Sequence, residues 1–463
     1  MNHPHFLSRR SALKSVSSGF GYLAFAALAH ERAMAEAGPL APKQPPLPAR
    51  AKRVIFLSMQ GAPSHVDTFD YKPKLSADDG KPGKYGGPTG AKLMGSPWKF
   101  SAQGQSGLQI SELFPKLSTH ADDLCLLRGM HTDLPNHAQA QVAMHTGNSQ
   151  FVRPSLGAWT LYGLGTENAD LPGFVALNPP NGSAQHFGSA FLPAIYQATR
   201  LGGDSRLRRP AAGGQAAPKI PNIENPRLDR DLQRIQLDLV QSLNRDKLQR
   251  DVHQPEVEGV IESFELAFRM QDKLPEVMDT AGESAETLAL YGADSGETSS
   301  FGRQCLIARR LIESGVRFVE LTHGNWDHHR NIEDDLPARC GEIDQPIAGL
   351  LADLKRRGLL KDTLVVWAGE FGRTPHSQGN GRDHNNKGYT TWMAGGGVKG
   401  GFSYGATDDH GYEAIENRMH THDWHATILH LLGLDHEKLT YRYAGRDFRL
   451  TDVSGLVAKE IIA

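Results

Sequence analysis

The fold of this chain is decided by the stretch RFVELTHGNWDHHR at residues 317–330 and by TLVVWAGEFGRTP at residues 363–375, with GRDHN following at 381–385. The first two segments begin with an apolar run of the kind that forms a buried strand, and a helix-period segment separates them. Each run then stops and is followed by carboxylates and imidazoles. Ligands bind at the carboxyl ends of the strands in open α/β sheets, so we expect these side chains to meet there. Because Asp, Glu and His hold divalent metals, the pattern predicts a metal-bearing active site.

The segments around this stretch predict a single large α/β domain over residues 51–463. Short apolar runs at Arg53–Leu57, Leu124–Leu127 and Phe174–Leu177 are strand candidates. Alternation of helices and strands indicates a doubly wound, mostly parallel sheet with helices on both faces. Residues from about 226 to 300 predict a helical insertion. Its amphipathic stripe is expected to serve packing and consists of Leu228, Leu232, Ile235, Leu239 and Leu243.

Composition excludes several classes of partner and linkage. The 463 residues include 50 basic and 52 acidic side chains, a balance that gives no reason to expect a nucleic-acid partner. Three cysteines allow at most one disulfide, and the apolar run around Cys125 predicts a buried thiol. With 39% hydrophobic residues and 49 glycines, the chain is expected to be globular and rich in loops.

The N-terminus predicts an export signal. Arg9 and Arg10 precede a short apolar region and an Ala-Met-Ala ending at Ala35, as in a Tat signal over residues 1–35. The alternative is an ordinary Sec signal or a membrane anchor, although the apolar region is short for a spanning helix. Residues 36–50 are rich in proline and predict a linker. We therefore expect a periplasmic or extracellular protein with no membrane span after cleavage.

Several motifs resemble those of a known superfamily. The run Leu134–His137 resembles the Phe-Pro-Asn-His run of nucleotide pyrophosphatases, and the segment Asp423–Gly433 resembles a helix of sulfatases. The chain is thus similar to the alkaline phosphatase superfamily. More closely, the twin-arginine start with SHVDTFD at 64–70, NWDHH at 325–329 and GEFGRTP at 369–375 resembles an exported domain-of-unknown-function family, number 1501, a sulfatase-like branch. This resemblance implies a doubly wound α/β fold, divalent metals at the strand ends and hydrolysis of a phosphate or sulfate ester.

The metal ligands are predicted among acids and imidazoles that follow strand ends. Hydrolysis with metal ions requires such ligands to converge from several strands. Asp327 and His329 are favoured because residues i and i+2 of an extended segment face the same side. The alternative is that these side chains only form hydrogen bonds and caps. The predicted ligand set is Asp67, Asp327, His329, Glu370 and His384.

The catalytic candidates lie in two loops. Asp133 stands where the pyrophosphatases place a nucleophilic Thr, and it could attack, bind a metal or cap a turn. The adjacent Thr132 is the rival nucleophile. Asn136 could donate its amide to an oxyanion, and Arg373 could bind an anion through two hydrogen bonds or form an ordinary salt bridge.

These patterns support one main functional hypothesis and one alternative. The main hypothesis is an exported, sulfatase-like hydrolase of phosphate or sulfate esters that uses zinc, calcium or manganese. Its substrate would be an anionic ester, either a small molecule or a group on a polysaccharide. The alternative is a non-catalytic module that keeps the alkaline phosphatase-like fold and binds a ligand or another protein.

Overall fold

The computed structural model describes residues 38–83, 91–180, 182–202, 223, 225, 227–250, 255–294 and 296–463. The predicted signal over residues 1–35 lies outside the described residues. Among the helices that are described, none combines the length and the apolarity needed to cross a bilayer.

Strands and helices alternate along the described chain. The strands are β1 (Arg53–Met59), β2 (Phe100–Gln103), β3 (Leu108–Ser111), β4 (Leu124–His131), β5 (Phe174–Leu177), β6 (Thr199–Leu201), β7 (Phe318–His323), β8 (Thr363–Ala368), β9 (Gly372–Gln378), β10 (Gly381–Asn385), β11 (Tyr389–Gly395), β12 (Phe402–Tyr404), β13 (Ala406–Thr407), β14 (Ala414–Glu416), β15 (Met419–His420), β16 (Tyr441–Tyr443) and β17 (Arg446–Phe448). The helices are α1 (His65–Thr68), α2 (Pro73–Ala77), α3 (His137–Thr146), α4 (Leu156–Leu164), α5 (Ala184–Phe187), α6 (Arg230–Arg250), α7 (Pro255–Met278), α8 (Ala285–Leu290), α9 (Ser299–Glu313), α10 (Ile332–Arg356) and α11 (Thr421–Leu431). Short 3₁₀ turns span Leu117–Asp123, Ala194–Tyr196, Leu360–Asp362 and Lys459–Ile461.

A mostly parallel sheet forms the centre of the molecule. Its strand order is β12-β4-β11-β8-β1-β7-β5-β6, and β15 also pairs with β4. Strand β1 is central and parallel to both neighbours, with Leu57 opposite Leu321 on one side and Trp367 on the other. Only β11 runs antiparallel to its neighbours β4 and β8 within this sheet. The predicted fold class, a doubly wound and mostly parallel α/β sheet, is confirmed.

Helices cover both faces because every second residue of the central strands points to the opposite side. Ile55 and Leu57 belong to a core cluster that includes α9 and α10. Val54 and Phe56 belong to a second cluster that includes α4 and α11. The near-continuous apolar runs of the sequence therefore correspond to strands that are buried on both faces.

The insertion consists of helices, although its apolar stripe differs from expectation. The antiparallel pair α6 and α7 contains the stripe residues Leu232, Ile235, Leu239 and Leu243. These four side chains are between 49% and 65% exposed. Within the part of the chain that the structure describes, the expectation that the stripe serves packing is wrong, because α6 contacts α7 through a different face.

A buried ion pair crosses from the sheet to α3. The Nε2 atom of His145 lies 2.7 Å from Oε1 of Glu320, and its Nδ1 atom lies 2.7 Å from the carbonyl oxygen of Gln141. Both ring nitrogens face acceptor oxygens, so the ring carries a proton on each. Burial lowers the pKa of His145, but the Glu320 carboxylate outweighs this effect and raises it. The stacked neighbour His186 is neutral, because burial and the His145 charge lower its pKa to about 3.

Replacing Glu320 with Gln is expected to destabilise the protein by about 1–3 kcal/mol, since a buried charged donor loses its partner. A histidine whose folded pKa is raised adds stability that is complete below its unfolded pKa of about 6.5 and is lost as the pH rises through the folded pKa. The difference in free energy of unfolding between wild type and Glu320→Gln should therefore be largest below about pH 6.5 and should shrink at higher pH. Urea denaturation across this range measures it. The exposed Glu416→Gln is the matched control, and a difference that grows with pH would contradict the assignment.

Candidate metal centre

Four side chains that could hold a cation meet beside the strand ends. Asp327 and His329 follow β7, His384 lies on the hairpin of β9 and β10, and His137 begins α3. One ligand atom from each lies within 4.8 Å of those of the other three. All four side chains are partly exposed, so the cluster can be reached from solvent. The structure thus places acids and imidazoles together where the sequence predicts a metal site.

Close backbone approach brings the contributing loops together. Gly61, after β1, has a φ of +106°, and a Cβ atom there would lie 2.7 Å from the backbone nitrogen of Asp327. A Cβ atom on Gly381 would lie 2.3 Å from the carbonyl oxygen of His328. Glycine is therefore required at both positions for the loop after β7 to fit between β1 and the hairpin.

Three imidazoles converge on one carboxylate oxygen. The Oδ1 atom of Asp327 lies 2.9 Å from Nε2 of His329, 3.1 Å from Nε2 of His137 and 3.3 Å from Nε2 of His384. The Nε2 atoms of His329 and His384 are only 2.9 Å apart. Four potential metal ligands therefore surround one small volume.

The other nitrogen of each ring faces an acceptor oxygen. The Nδ1 atom of His137 lies 2.6 Å from Oε1 of Glu370, and that of His384 lies 2.6 Å from the carbonyl oxygen of Pro135. The Nδ1 atom of His329 contacts Oε1 of Gln378. Each Nδ1 can therefore carry the proton and donate it outward, which leaves the Nε2 lone pairs directed inward. Metal-binding histidines use this arrangement, because the outer hydrogen bond fixes the tautomer and the ring orientation.

This donor set fits a divalent transition metal. Within the described residues, the Nε2 atom of His137 is buried without a hydrogen-bond partner, although Asp327 lies close to it. Burial and the charge of Arg373 lower the pKa of His384 and favour its neutral form. Burial acts against a proton on His137, but Glu370 raises the pKa of that ring, so a cation competes with a proton there. Lone pairs that face each other repel unless a cation or proton lies between them.

Arg373 holds the Asp327 carboxylate in place. It is fully buried, and its Nε atom donates to the carbonyl oxygen of Ala62 at 2.9 Å. One Nη atom donates to Asp327 at 2.7 Å and also contacts the carbonyl oxygen of Gly61. Burial alone would raise the pKa of Asp327, but the Arg373 charge outweighs it and holds the pKa well below its usual range. Arg373 therefore supports the site from behind and is not exposed to a substrate.

Asp67 of the predicted ligand set lies outside the cluster. Its two carboxylate oxygens accept hydrogen bonds from Arg382, at 2.6 Å from Nε and 2.9 Å from Nη2. The Ser64 hydroxyl donates to it as well, at 2.6 Å. Asp67 and Arg382 are both fully buried. The short helix α1 directs this carboxylate toward the hairpin, where its oxygens bind a guanidinium.

Glu370, also predicted as a ligand, lies behind His137. Its Oε1 atom accepts hydrogen bonds from the backbone N–H of Gly61 at 3.0 Å and from Nε2 of Gln141 at 3.1 Å, in addition to the contact with His137. Glu370 therefore contacts the cluster only through the His137 ring, and it orients that ring.

Three of the four catalytic candidates lie on the loop that enters the site from β4. Thr132 is buried, and its backbone N–H donates to the carbonyl oxygen of Asn386 at 3.0 Å. The Asp133 side chain is 79% exposed, with Oδ2 at 3.3 Å from Nε2 of His420. Asn136 is exposed at the N-terminus of α3, and its side chain forms no capping hydrogen bond there. This loop reaches the cluster through Pro135 and His137.

His137 is the member of the cluster that the sequence analysis did not assign. It belongs to the Leu134–His137 run, which was noted only for its resemblance to pyrophosphatases. An imidazole at the start of a helix, after a strand of the same sheet, was the available signal. The hairpin of β9 and β10 was not predicted either, because Arg373 was expected to lie in a loop.

Replacing Glu370 with Gln is expected to weaken metal affinity about 10-fold while the number of ions bound at saturation stays the same. The amide can still accept from Nδ1 of His137, but it lacks the charge that makes the ring a strong ligand. Metal titration with a competing chelator measures the change. The exposed Glu416→Gln is again the control, and loss of the ion at saturating metal would instead identify Glu370 as a ligand.

Solved structures with a similar arrangement of elements include three enzymes. The PsFucS1 sulfatase from Pseudoalteromonas sp. shares 14% identity, with 84% of this chain and 69% of that chain covered and a TM-score of 0.34. The lipoteichoic acid synthase LtaP from Listeria monocytogenes shares 10% identity over 87% of this chain and 75% of that chain, with a TM-score of 0.37. The alkaline phosphatase from the Antarctic bacterium TAB5 shares 12% identity over 80% of this chain and 96% of that chain, with a TM-score of 0.31.

Sequence comparison assigns the chain to a family. No curated protein matches it. One family model, described as "Protein of unknown function (DUF1501)", matches residues 51–462, which is nearly the whole chain outside the predicted signal and linker. This chain therefore belongs to the DUF1501 family.

Proposed function

We propose that this chain is a metal-dependent hydrolase of phosphate or sulfate esters. The observation that carries the proposal is the convergence of three Nε2 atoms and one carboxylate oxygen within 4.8 Å, with the Nδ1 atoms of all three rings facing acceptor oxygens. Three imidazoles and a carboxylate suit zinc or manganese better than calcium, which prefers oxygen ligands. A bound ion of this kind would polarise the ester and stabilise the oxygen on which charge develops.

The residues around the cluster are suited to bind and attack an anionic ester. Of the two nucleophile candidates, Asp133 is exposed and Thr132 is buried, which favours the Asp133 carboxylate as the group that contacts the substrate. The His420 imidazole accepts from the backbone N–H of His422 through Nδ1, so its Nε2–H is oriented toward Asp133. Asn136 would donate its amide to a substrate oxygen. Arg373 would act as a positioning residue that keeps Asp327 ionised.

A cavity beside the loop that carries Asp133 offers room for part of the substrate. Its volume is about 610 Å³, and Asp133, His420 and Asp423 are among its lining residues. The opening to solvent agrees with a substrate that extends beyond the ester, such as a sulfated or phosphorylated polysaccharide. Export by the predicted Tat signal would bring the protein to the periplasm or the outside, where such polymers occur.

The experiment that tests the proposal combines metal analysis with turnover. Protein purified without chelators is expected to contain a stoichiometric divalent metal and to hydrolyse one of three substrate classes: an aryl sulfate, a phosphomonoester or a phosphodiester. Chelation should abolish turnover and the same metal should restore it, and Asp133→Asn should lower kcat while metal content is unchanged. The exposed Asp170→Asn is the control.

Two outcomes would overturn the proposal. Absence of a bound metal would remove its basis. A bound metal without turnover of any substrate class would instead support the alternative, a module that binds a ligand or a protein without catalysis.

A further inference from the structure

The outer face of α6 presents an apolar stripe that the described residues of its own chain leave exposed. Leu232, Ile235, Leu239 and Leu243 recur at steps of three and four residues, and each is about half exposed or more. Contiguous apolar surface of this kind marks a site of interaction. The stripe runs along the N-terminal two thirds of a 21-residue helix, so the occupant must be elongated.

The opposite face of α6 attaches the helix to its own chain through polar contacts. Gln241 is fully buried, and its Nε2 atom donates to the carbonyl oxygen of Ile261 at 2.7 Å. Arg234 makes a forked ion pair with Glu265, with distances of 2.9 and 3.0 Å. A helix normally buries its apolar stripe, whereas α6 leaves its stripe exposed and attaches to α7 through Arg234 and Gln241. The orientation of α6 is therefore fixed with the apolar stripe directed outward.

We infer that this stripe binds the same stripe of a second copy of the chain, with the two α6 helices antiparallel. The spacing of Leu232, Ile235 and Leu239 is that of alternating a and d positions of a coiled-coil heptad. In an antiparallel pair centred near Leu237, Ile235 of each copy packs against Leu239 of the other. The residues that contact α7 occupy the b, c and f positions, so the heptad seam is free to pair.

Charges beside the stripe select this occupant and this direction. Asp231 and Arg245 are both exposed and occupy the same flanking position g, two heptads apart. In an antiparallel pair g faces g, so Asp231 of one copy meets Arg245 of the other, and symmetry forms this ion pair twice. At the centre the two Asp238 side chains would approach each other, but each already pairs with Arg234 of its own chain. A parallel pair would place Asp231 beside Gln236 and form neither ion pair.

A membrane surface is a poorer match than a second copy. Helices that lie on membranes carry Lys and Arg along the polar face, whereas the stripe of α6 is flanked by Asp231 and Asp238 as well as by Arg245. The charges beside the stripe are instead complementary to those of an antiparallel second copy. The dimer interface is independent of the metal cluster, so the inference does not rest on the proposed function.

The first test is sedimentation equilibrium of the purified protein over a range of concentrations. We expect a dimer whose dissociation constant rises at least about 100-fold when Ile235→Ser and Leu239→Ser are combined. The thermal midpoint of the monomer should stay unchanged, because both side chains are exposed. Three results would overturn the inference: a monomer at all concentrations, a dimer whose dissociation constant the two substitutions leave unchanged, or a monomer that binds lipid vesicles through the stripe.

The second test distinguishes the antiparallel pair from other dimers. Asp231→Arg alone and Arg245→Asp alone should each weaken self-association about 10-fold, because like charges then meet twice. A mixture of the two single variants should form heterodimers, and the double variant should regain self-association. Lys247→Asp, an exposed change outside the seam, is the control. Failure of the mixture to associate would overturn the antiparallel pairing.

Discussion

Alanine in place of Asp327 should reduce metal affinity by at least about 100-fold and leave the protein without an ion after dialysis. The substitution removes the oxygen on which His137, His329 and His384 converge. Any metal-dependent hydrolysis should be lost with the ion. Elemental analysis and a competitive chelator titration measure the effect.

Two controls separate loss of a ligand from loss of structure. Asp327→Ala also leaves the buried guanidinium of Arg373 without its carboxylate partner, so part of any effect could come from a displaced loop. His329→Ala removes a ligand without touching that ion pair and should give a similar loss of metal. The exposed Asp334→Asn should change neither metal content nor stability. Retention of stoichiometric metal at unchanged affinity in Asp327→Ala would contradict the assigned centre.

Alanine in place of Asp67 should destabilise the protein by about 3–5 kcal/mol, because it leaves the buried charge of Arg382 without a counter-ion. Both side chains are fully buried, and the pair is joined by two hydrogen bonds. The folded fraction should still bind the metal with wild-type affinity, since Asp67 is not among the four converging side chains. Urea denaturation and metal analysis of the same preparation measure the two quantities.

Two comparison variants test whether the loss of stability comes from the unpaired charge of Arg382. Combining Asp67→Ala with Arg382→Met should recover part of the lost stability, because no unpaired charge then remains. Asp272→Ala breaks a solvent-exposed pair with Arg230 and should cost no more than about 1 kcal/mol. Metal loss with unchanged stability in Asp67→Ala would show instead that Asp67 is a ligand.

The location of the cluster could be predicted from the sequence, whereas the identity of its members could be predicted only in part. Parallel strands end at the same edge of the sheet, so the acids and imidazoles after β7 and β8 had to lie near each other. Asp327, His329 and His384 come together for this reason. Asp67 and Glu370 follow strands as well, and nothing in their own sequence distinguishes them from ligands.

Two buried arginines determine where the carboxylates of Asp67 and Asp327 lie. Arg373 and Arg382 lie nine residues apart on the hairpin of β9 and β10, and each binds a different aspartate. Both pairs depend on tertiary contacts. Asp67 is more than 300 positions from Arg382, and Asp327 is 46 positions from Arg373. The local sequence pattern therefore does not predict which aspartate each arginine binds. The exposed stripe on α6 was mispredicted for a similar reason, since its spacing is the same whether the partner is its own chain or another one.

The candidate centre joins segments that are remote along the chain. Pro135, in the loop that leads to His137, and His384 are 249 positions apart, and strands β5 to β9 lie between them in the order of synthesis. No ion can be held until translation is almost finished and the central strands have paired. If the protein leaves the cell already folded, it would bind a metal ion that is available in the cytoplasm. Scarcity of that metal in the medium would then not limit its loading.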